Sequence, residues 1–307
     1  MSELEAPKSL AHIKHIVLVL SGKGGVGKSS VTTQLALSLV IKGFKVGVLD
    51  IDLTGPSIPR MFGLEGKSMF QSERGWIPVY VDNDERLSVV SLGFLIGDRG
   101  SSVAWRGPKK TSMINQFISN VIWPKDLDYL IIDTPPGTSD EHISIAEQLR
   151  LANPDGAVLV TTPQAVSVND VKKEMNFCHK VRFKILGIVE NMSGFICPYC
   201  AECTNIFSSG GGKILADQHQ INYLGNLPID PTFVEMIENN NMDSKNELPE
   251  LERLSISDKQ SDKDREEKNQ EKKHKESLVD QYKESSIKPV FEIIVDNILS
   301  QGIPSRV

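Results

Sequence analysis

One octapeptide near the start of the chain limits the possible folds more than any other feature. Residues 22–29 read GKGGVGKS, which matches the pattern G-x-x-x-x-G-K-[ST]. The apolar run HIVLVL at 15–20 precedes the motif, and Val31, Leu35 and Leu39 follow it at helical spacing. A strand, a glycine-rich turn and an amphipathic helix in this order are typical of a loop that binds phosphate groups.

The chemistry of phosphate binding assigns roles within this loop. Its glycines let backbone N–H groups turn toward the phosphates, and the helix N-terminus adds a favourable dipole. Lys28 is placed to reach the terminal phosphates, and the Ser29 hydroxyl is placed to bind Mg²⁺. We therefore expect ATP and Mg²⁺ as cofactors. The predicted nucleotide-binding residues of the loop are Gly22, Lys23, Gly24, Gly25, Val26, Gly27, Lys28, Ser29 and Ser30.

Further apolar runs recur along the chain and alternate with segments of helical periodicity. Near-continuous apolar runs are typical of strands that are buried on both faces of a parallel sheet. We therefore predict an α/β fold of the P-loop NTPase type, with a doubly wound, mainly parallel sheet and helices on both faces. Cys178 lies on the apolar side of a predicted helix and is interpreted as a core residue. The runs lie at 45–50, 87–92, 127–133, 156–162 and 184–190.

One charged segment interrupts the pattern. More than half of residues 241–276 are charged, with both signs and no aromatic residue, which is typical of a disordered insert. After it, the spacing of Val290, Ile294 and Ile298 predicts a helix that packs back onto the domain. The predicted organisation is a flexible N-terminus at 1–12, an ATPase domain at 13–240, the insert at 241–276, one C-terminal helix at 277–300 and a tail at 301–307.

Charge and composition exclude several classes of protein. The net charge is -6, with 34 basic and 40 acidic residues, so nothing favours binding to nucleic acid or to an anionic membrane. The chain has no apolar run near 18 residues long and does not begin with a basic and then apolar leader. We therefore expect a soluble, cytoplasmic protein with no nucleic-acid or membrane partner.

Three of the four cysteines lie within seven residues. Cys197, Cys200 and Cys203 follow one another at C-x-x-C spacing, which suits a metal better than a disulfide framework. Zinc sites and cubane iron-sulfur clusters usually take four protein ligands. One chain supplies three of these thiolates. Zinc bridged between two protomers, zinc completed by His219, and an iron-sulfur cluster all remain compatible with the spacing.

Acidic residues follow two of the predicted strands. Asp50 and Asp52 occur in LDIDLTGPS, and Asp133 begins the segment DTPPGTSDEH. The carboxyl ends of parallel strands meet near the phosphate loop, where carboxylates can bind the water shell of a metal or orient an attacking water. The second segment also reads as a switch loop, in which the Gly137 N–H is placed to meet the γ-phosphate.

The second lysine of the loop, Lys23, makes a form of the motif that resembles a known group of ATPases. The string K-G-G-x-G-K resembles the deviant Walker A motif of the nitrogenase iron protein and of the septum-site and partition ATPases. Four further segments extend the resemblance to the Mrp/NBP family. They are DIDLTGPS, RGPKKTSMINQF, IDTPPGTSDEH and ENMSGFICPYCAECTNIF. Within this family, the resemblance is closest to the smaller-subunit type of the eukaryotic cytosolic iron-sulfur scaffold.

The resemblance implies roles for individual residues of the nucleotide site. Lys23 would reach the partner's phosphates across a dimer, and Asp52 would position the attacking water. Asp133 would organise Mg²⁺ through its water shell, with Asp50 supporting either role, and Asn191 would approach the base. The implied catalytic residues are Lys23, Lys28 and Asp52.

The resemblance also implies a function for the cysteines. A C-x-x-C pair, Cys197 and Cys200, from each of two protomers would hold one bridging [4Fe-4S] cluster, with Cys203 as an auxiliary. A slow ATPase would then serve cluster assembly and transfer to cytosolic and nuclear apoproteins. The implied partner is a larger subunit with an N-terminal ferredoxin-like cysteine motif, in a heterotetramer, or a second copy of the chain.

Two other ATPase classes compete with this interpretation. A zinc-bridged regulatory or partition-type ATPase would satisfy the same loop and cysteine spacing, but membrane cycling calls for a basic, amphipathic C-terminal anchor. The segment FEIIVDNILSQ carries Glu292 and Asp296 and has no lysine. A simple nucleotide kinase is disfavoured by Lys23 and by the lack of an arginine-rich lid pattern.

Overall fold

Parallel strands form the centre of the molecule. The computed structural model describes residues 7–52, 55–95, 107–137, 140–197, 203–246 and 276–307. Its strands are β1 (His15–Ser21), β2 (Val46–Asp50), β3 (Phe70–Ser72), β4 (Gly75–Ile77), β5 (Val79–Tyr80), β6 (Leu87–Ser91), β7 (Tyr129–Asp133), β8 (Gly156–Thr161), β9 (Ile185–Glu190), β10 (Phe195–Ile196), β11 (Cys203–Thr204) and β12 (Tyr223–Asn226).

Eight of these strands form one sheet in the order β12-β9-β8-β1-β7-β2-β6-β5. All neighbours in it pair in parallel except β5, which runs antiparallel to β6 at the edge. The six apolar runs of the sequence correspond to β1, β2, β6, β7, β8 and β9, so the predicted mainly parallel sheet is confirmed. The edge strands β5 and β12 are too short to show a periodicity of their own.

Two groups of helices contact the sheet. Helices α1, α2, α7, α8 and α9 contact one another in one group, and α3, α4, α5 and α6 form the other. Both α1 and α5 pack on β1, as expected for a doubly wound fold with helices on both faces. The helices are α1 (Lys28–Ile41), α2 (Ile58–Met61), α3 (Gly107–Asn120), α4 (Asp140–Leu151), α5 (Ala165–Val181), α6 (Gly211–His219), α7 (Pro231–Asn246), α8 (Leu278–Lys283) and α9 (Lys288–Leu299).

Helix α1 is not amphipathic in the way that its apolar spacing predicts. Every residue from 31 to 40 is buried, including polar ones such as Thr33 and Ser38. The reason is that α1 packs on the sheet with one side while α8 and α9 cover the other. The fully buried Tyr282 of α8 lies against α1 and donates its hydroxyl to Gln34 Oε1 over 3.3 Å.

The C-terminal region packs on the domain as predicted, but as two helices. Residues 284–287 separate α8 from α9, and Pro289 lies in the first turn of α9. A proline in a helix interior removes an N–H donor and clashes with the preceding turn, whereas the first turn tolerates it. One uninterrupted helix over 277–300 is therefore wrong. None of the helices in the described ranges is long and apolar enough to cross a membrane.

The predicted domain boundaries also differ from the structure at three places. Residues 241–246 continue α7, and the buried Asn241 donates to the carbonyl of Arg60 over 2.8 Å. Residues 247–275 of the charged segment lie outside the described residues. Near the N-terminus, Leu10 is fully buried, and near the C-terminus the Arg306 N–H donates to the carbonyl of Lys14 over 2.9 Å. Ordered contacts thus extend into both predicted tails.

A buried carboxyl on α5 lacks the hydrogen bonds that usually accompany burial. Glu174 is 1% exposed, and neither of its oxygens has a hydrogen-bond partner among the described residues. Desolvation raises its pKa to about 8, because the charged form loses its hydration without compensation. The folded state therefore holds a proton on Glu174 at pH values at which the unfolded chain has released it.

The Glu174 pKa predicts how stability depends on pH. The folded-state pKa lies above the ordinary value, so between about pH 4.5 and 8 the folded state binds more protons than the unfolded chain. Glu174 should therefore lower the free energy of unfolding as pH rises, by up to about 1.4 kcal/mol per pH unit. We expect Glu174→Gln to flatten this slope in urea unfolding between pH 5.5 and 7.5.

The matched control is Glu147→Gln, at an exposed position on α4. Its stability profile should follow that of the wild type. An unchanged slope in Glu174→Gln would contradict the assignment of a neutral, buried carboxyl.

Candidate functional site

The turn between β1 and α1 has the backbone of a phosphate-binding loop. Gly25 and Gly27 have φ values of 80° and 81°, in the left-handed region that favours glycine. A Cβ at Gly27 would stand 2.1 Å from Asn191 Nδ2, so a side chain cannot fit there. Gly24 and Gly25 are exposed and face open space. The loop therefore presents backbone to a ligand on one side and packs tightly on the other.

A buried carboxylate at the end of β7 connects the sheet to the start of α1. The Lys28 ammonium lies 2.7 Å from Asp133 Oδ2, and the Ser29 hydroxyl donates to the same oxygen over 2.7 Å. Thr32, one turn along α1, donates to Asp133 Oδ1 over 2.6 Å. The structure thus brings together the predicted phosphate-binding lysine, the predicted Mg²⁺ ligand and the predicted metal-organising carboxylate.

Asp50 occupies the next strand end, directly beside Asp133 in the β2–β7 register. It is fully buried, and burial together with the neighbouring Asp133 charge raises its pKa to about 8. Its Oδ2 accepts from the Ser91 hydroxyl over 2.8 Å, and its Oδ1 accepts from the Asp52 N–H over 3.0 Å. Asp50 therefore holds the backbone at Asp52, which lies just past β2 and is 8% exposed.

The segment after β7 begins a loop that leads into α4. Thr134 donates its hydroxyl to the carbonyl of Val19 over 2.9 Å, which ties the loop to β1. The Gly137 N–H, which the sequence predicts to face a γ-phosphate, donates to the carbonyl of Ser21 over 2.9 Å. The loop is thus fastened to the end of β1, directly before the phosphate loop. Residues 138 and 139 lie outside the described residues.

Lys23 and Gly22 occupy the first part of the loop. A Cβ at Gly22 would come within 2.5 Å of the Asp170 backbone, so the glycine allows α5 to approach. Lys23 is half-buried, and within the described ranges its ammonium has no hydrogen bond or ion pair. Its carbonyl accepts from the Ser21 hydroxyl over 3.2 Å. Ser30, in the first turn of α1, accepts from Gln34 Nε2 over 3.3 Å.

Asn191 contacts the phosphate loop from the end of β9. Its backbone N–H donates to the carbonyl of Thr161 over 2.7 Å, and its side-chain amide donates to the carbonyl of Val26 over 2.9 Å. In this arrangement the side chain supports the loop. The contact between Asn191 and a nucleotide base stays a prediction.

The cysteine loop, residues 191–212, begins where β9 ends. Strands β10 and β11 form a short antiparallel hairpin in which Ile196 pairs with Cys203. Cys197 directly follows β10 and is half-buried, so it lies one residue beyond the Ile196–Cys203 pair. Residues 198–202, including Cys200, lie outside the described residues. Cys178 is fully buried in α5, in agreement with its interpretation as a core residue.

Several residues that organise the site were not found from the sequence. Thr32 and Ser91 hold Asp133 and Asp50, and Glu190 is fully buried at the end of β9. Glu190 offers one detectable signal, because it is a polar residue that ends an apolar run, whereas Ser91 lies inside its run. Thr32 follows Lys28 at i+4, which places both on one side of α1. The bonding partners of each could be assigned only from the strand order.

Similar proteins with curated names share most of this chain. It is 62% identical over 301 residues to "Cytosolic Fe-S cluster assembly factor CFD1" from Saccharomyces cerevisiae, covering 97% of this chain and 92% of that protein. It is 58% identical over 317 residues to the protein of the same name from Candida albicans, covering 99% and 98%. It is also 64% identical over 221 residues to "Cytosolic Fe-S cluster assembly factor NUBP2 homolog" from Dictyostelium discoideum, covering 72% and 83%.

Solved structures show the same fold. A nucleotide-binding protein from Archaeoglobus fulgidus in complex with ADP is 37% identical, with a TM-score of 0.65 over 78% of this chain and 91% of that one. The cell division ATPase MinD from Pyrococcus furiosus is 19% identical, with a TM-score of 0.57 over 94% of this chain and all of that one, and shares the fold. A family model described as ParA, NUBPL iron-transfer P-loop NTPase, matches residues 12–260. The family model covers most of the chain, and the phosphate loop and the contacts of Asp133 with α1 agree with it. The chain therefore belongs to the NUBPL iron-transfer P-loop NTPase family.

Proposed function

We propose that this protein is an ATP-dependent scaffold of the cytosol, which assembles a labile [4Fe-4S] cluster between two protomers and transfers it to cytosolic and nuclear apoproteins. The observation that carries the proposal is the junction at the end of β9. There the cysteine loop leaves the sheet, and its residue Asn191 touches the phosphate loop at Val26. The loop that carries the cysteines thus touches, at its first residue, the loop that would bind the nucleotide.

The residues of the loop fit a nucleotide with its metal. Exposed Gly24 and Gly25 leave space for phosphates, and the N-terminus of α1, which follows them in the chain, favours anions. Lys28 would hold the terminal phosphates, the Ser29 hydroxyl would bind Mg²⁺, and Asp133 would organise Mg²⁺ through its water shell. Mg²⁺ would supply positive charge to stabilise the transferring phosphoryl group. Asp52 would orient the attacking water. Hydrolysis would be slow and would serve assembly or transfer.

The number of thiolates supports a site shared between two protomers. Cys197 and Cys200 of each protomer would supply four thiolates, and Cys203 would serve as an auxiliary ligand. The cluster is the cargo of the scaffold, and its ligands come from both chains.

Exposed apolar side chains near the cysteine loop support such a dimer. Ile206 and Phe207 follow β11, Ile214 lies in the first turn of α6 and Val166 in the first turn of α5, and all four are exposed. The first turns of α5 and α6 adjoin, because a Cβ at Gly211 would come within 2.5 Å of the carbonyl of Pro163. Exposed apolar side chains in neighbouring segments are typical of a protein interface. The partner would be a second copy or the larger scaffold subunit, with which the chain would form a heterotetramer.

Two of the alternatives find less support in the structure. Zinc completed by His219 is disfavoured, since His219 ends α6 and lies about 12 Å along the helix from its start at 1.5 Å per residue. A membrane-cycling ATPase is disfavoured because α9 already buries its apolar side against the domain, through Phe291, Ile294 and Val295. Zinc bridged between two protomers is the remaining alternative. Counting the zinc and iron bound to the protein distinguishes it from an iron-sulfur cluster.

The two lysines of the phosphate loop should behave differently when replaced. Lys28→Ala removes a charge-assisted contact to the nucleotide, worth about 1.5–3 kcal/mol, and should weaken ATP binding by about tenfold to a hundredfold or more. Lys23→Ala should leave binding to one protomer nearly unchanged but remove the hydrolysis that depends on the dimer. Calorimetric titration and hydrolysis rates over a range of protein concentrations measure the two effects.

Thermal unfolding of both variants controls for loss of the fold, since Lys28 also neutralises Asp133. Wild-type ATP affinity in folded Lys28→Ala, or wild-type hydrolysis in Lys23→Ala, would argue against these roles.

The cysteines should separate into ligands, auxiliary and core. After anaerobic reconstitution, the wild type should hold about four irons and four sulfides per dimer. Cys197→Ala and Cys200→Ala should abolish this cluster, whereas Cys203→Ala should retain most of it. Cys178→Ala, which changes a buried core thiol, is the matched control and should retain the cluster.

Iron, sulfide and zinc are counted on protein purified without oxygen. Stoichiometric zinc with no uptake of iron would refute the scaffold proposal. Equal loss of iron in all three loop variants would refute the assignment of Cys197 and Cys200 from each protomer as the ligands.

A further inference from the structure

The carboxylate of Glu190 closes the base of the cysteine loop. Its Oε1 accepts from the Ser193 hydroxyl over 2.6 Å and from the Gly210 N–H over 2.9 Å, and its Oε2 accepts from the Gly212 N–H over 2.5 Å. Ser193 lies at the start of the loop, and the two glycines lie at its end. One side chain at the end of β9 therefore fastens both ends of the loop to the sheet.

The burial of Glu190 makes these hydrogen bonds important. The side chain is fully buried and has no ion pair with a lysine or arginine in the described ranges. Its compensation comes from the three donors and from the N-terminus of α6, where the positive end of the helix dipole favours a carboxylate. Leaving a buried acceptor without its donor costs free energy, so these hydrogen bonds stabilise the position of both loop ends.

The glycines at 210–212 fit this role. A Cβ at Gly212 would stand 3.1 Å from Glu190 Oε2 and 3.1 Å from Thr161 Cγ2. Gly210 has a φ of 85°, which a side chain would disfavour. The absence of side chains lets the backbone approach the carboxylate closely enough to bond with it.

The first strand of the hairpin has a separate support. The Ser193 N–H donates to the carbonyl of Leu227, and the Ile229 N–H donates to the carbonyl of Gly194, both over 2.8 Å. The Ile196 N–H donates to the carbonyl of Ile229 over 3.2 Å. The outgoing strand β10 is thus braced on residues 227–229. Residues 203–212, which return to α6, are held to the sheet by Glu190 through Gly210 and Gly212.

The neighbouring residue connects the same point to the phosphate loop. Asn191 follows Glu190 in the chain, donates to the carbonyl of Val26 and lies directly over Gly27. A displacement of the loop backbone at 26–27 must move or break the contact with the Asn191 amide. Glu190 is the preceding residue in the chain, so the path from the Asn191 amide to the carboxylate that holds the cysteine loop is one residue long.

We propose that Glu190 and Asn191 form a mechanical connection that transmits occupancy of the phosphate loop to the geometry of the cysteine loop. Glu190 is a positioning residue that acts through the loop ends, and Asn191 is its contact with the nucleotide site. The proposal rests on the proposed function, because it supplies the step by which a nucleotide alters a cluster site.

The first test measures amide hydrogen exchange of residues 203–212 in the metal-free full chain. Glu190→Gln keeps the side-chain volume but turns an amide N–H₂ toward donors, so at least one glycine N–H loses its acceptor. Exchange at 210–212 should rise about tenfold or more. Glu174→Gln, which removes another buried carboxyl that has no hydrogen bond to these donors, is the matched control and should leave the loop unchanged.

Ser193→Ala is the milder variant and tests the same point if Glu190→Gln folds poorly. It removes one of the three donors and should raise exchange at 193–196 to a smaller extent. Wild-type protection of the loop in both variants would overturn the positioning role.

The second test measures the transmission itself. The alkylation rate of Cys197 by iodoacetamide, read by peptide mass spectrometry on metal-free protein, should change at least about threefold when a non-hydrolysable ATP analogue and Mg²⁺ saturate the site. Asn191→Ala at saturating nucleotide should lose this dependence. Glu190→Gln, whose carboxylate does not touch the phosphate loop, should bind nucleotide and lose the dependence as well.

The outcomes separate this proposal from the proposed function. A wild-type protein that takes up iron and sulfide but shows no nucleotide effect on Cys197 refutes the connection and leaves the scaffold intact. A nucleotide effect of wild-type size in both variants also refutes it. A protein that takes up no iron, yet loses the nucleotide effect in both variants, contradicts the scaffold proposal and retains the connection.

Discussion

The contact between Asp133 and the start of α1 is the interaction on which the rest of the site depends. A carboxylate with no exposure to water must be compensated, and Lys28, Ser29 and Thr32 together provide one positive charge and two hydroxyl donors. All three donors come from the first two turns of one helix, so the contact sets both the position and the rotation of α1 against β7. The loop between β1 and α1 is thereby closed at a defined length.

Burial, together with the charge of Asp133, favours the neutral form of the neighbouring Asp50. Burial raises the pKa of Asp50, and the nearby Asp133 carboxylate raises it further, because two carboxylates at adjacent strand ends repel each other. Asp50 then acts as a structural group between Ser91 and the Asp52 backbone. The three acidic residues of the site therefore have different surroundings. Asp133 lies against Lys28, Asp50 lies between Ser91 and the Asp52 backbone, and Asp52 lies just past the carboxyl end of β2.

The sequence predicted the parts of this arrangement that depend on local chemistry. The phosphate loop, the six buried strands and the position of Asp50 and Asp133 at strand ends follow from motif and periodicity. The parts that depend on distant packing could not be predicted, such as the burial of α1 on both sides and the brace of β10 on residues 227–229. Glu190 belongs to this second group, because a glutamate that ends an apolar run does not reveal which glycines it will bind.

The burial of α1 between the sheet and the helices α8 and α9 has a consequence for how the protein is made. Tyr282 donates a hydrogen bond to Gln34, which lies 248 positions earlier in the chain, and Phe291 of α9 is fully buried. Contacts between such distant residues carry a large loop-closure cost and form late. During synthesis, the strands and α1 leave the ribosome long before their cover exists, and the outer side of α1 stays bare until residues 278–299 emerge. The nascent chain therefore passes through a stage in which its nucleotide loop is already made but the helix behind it is still open to water and to chaperones.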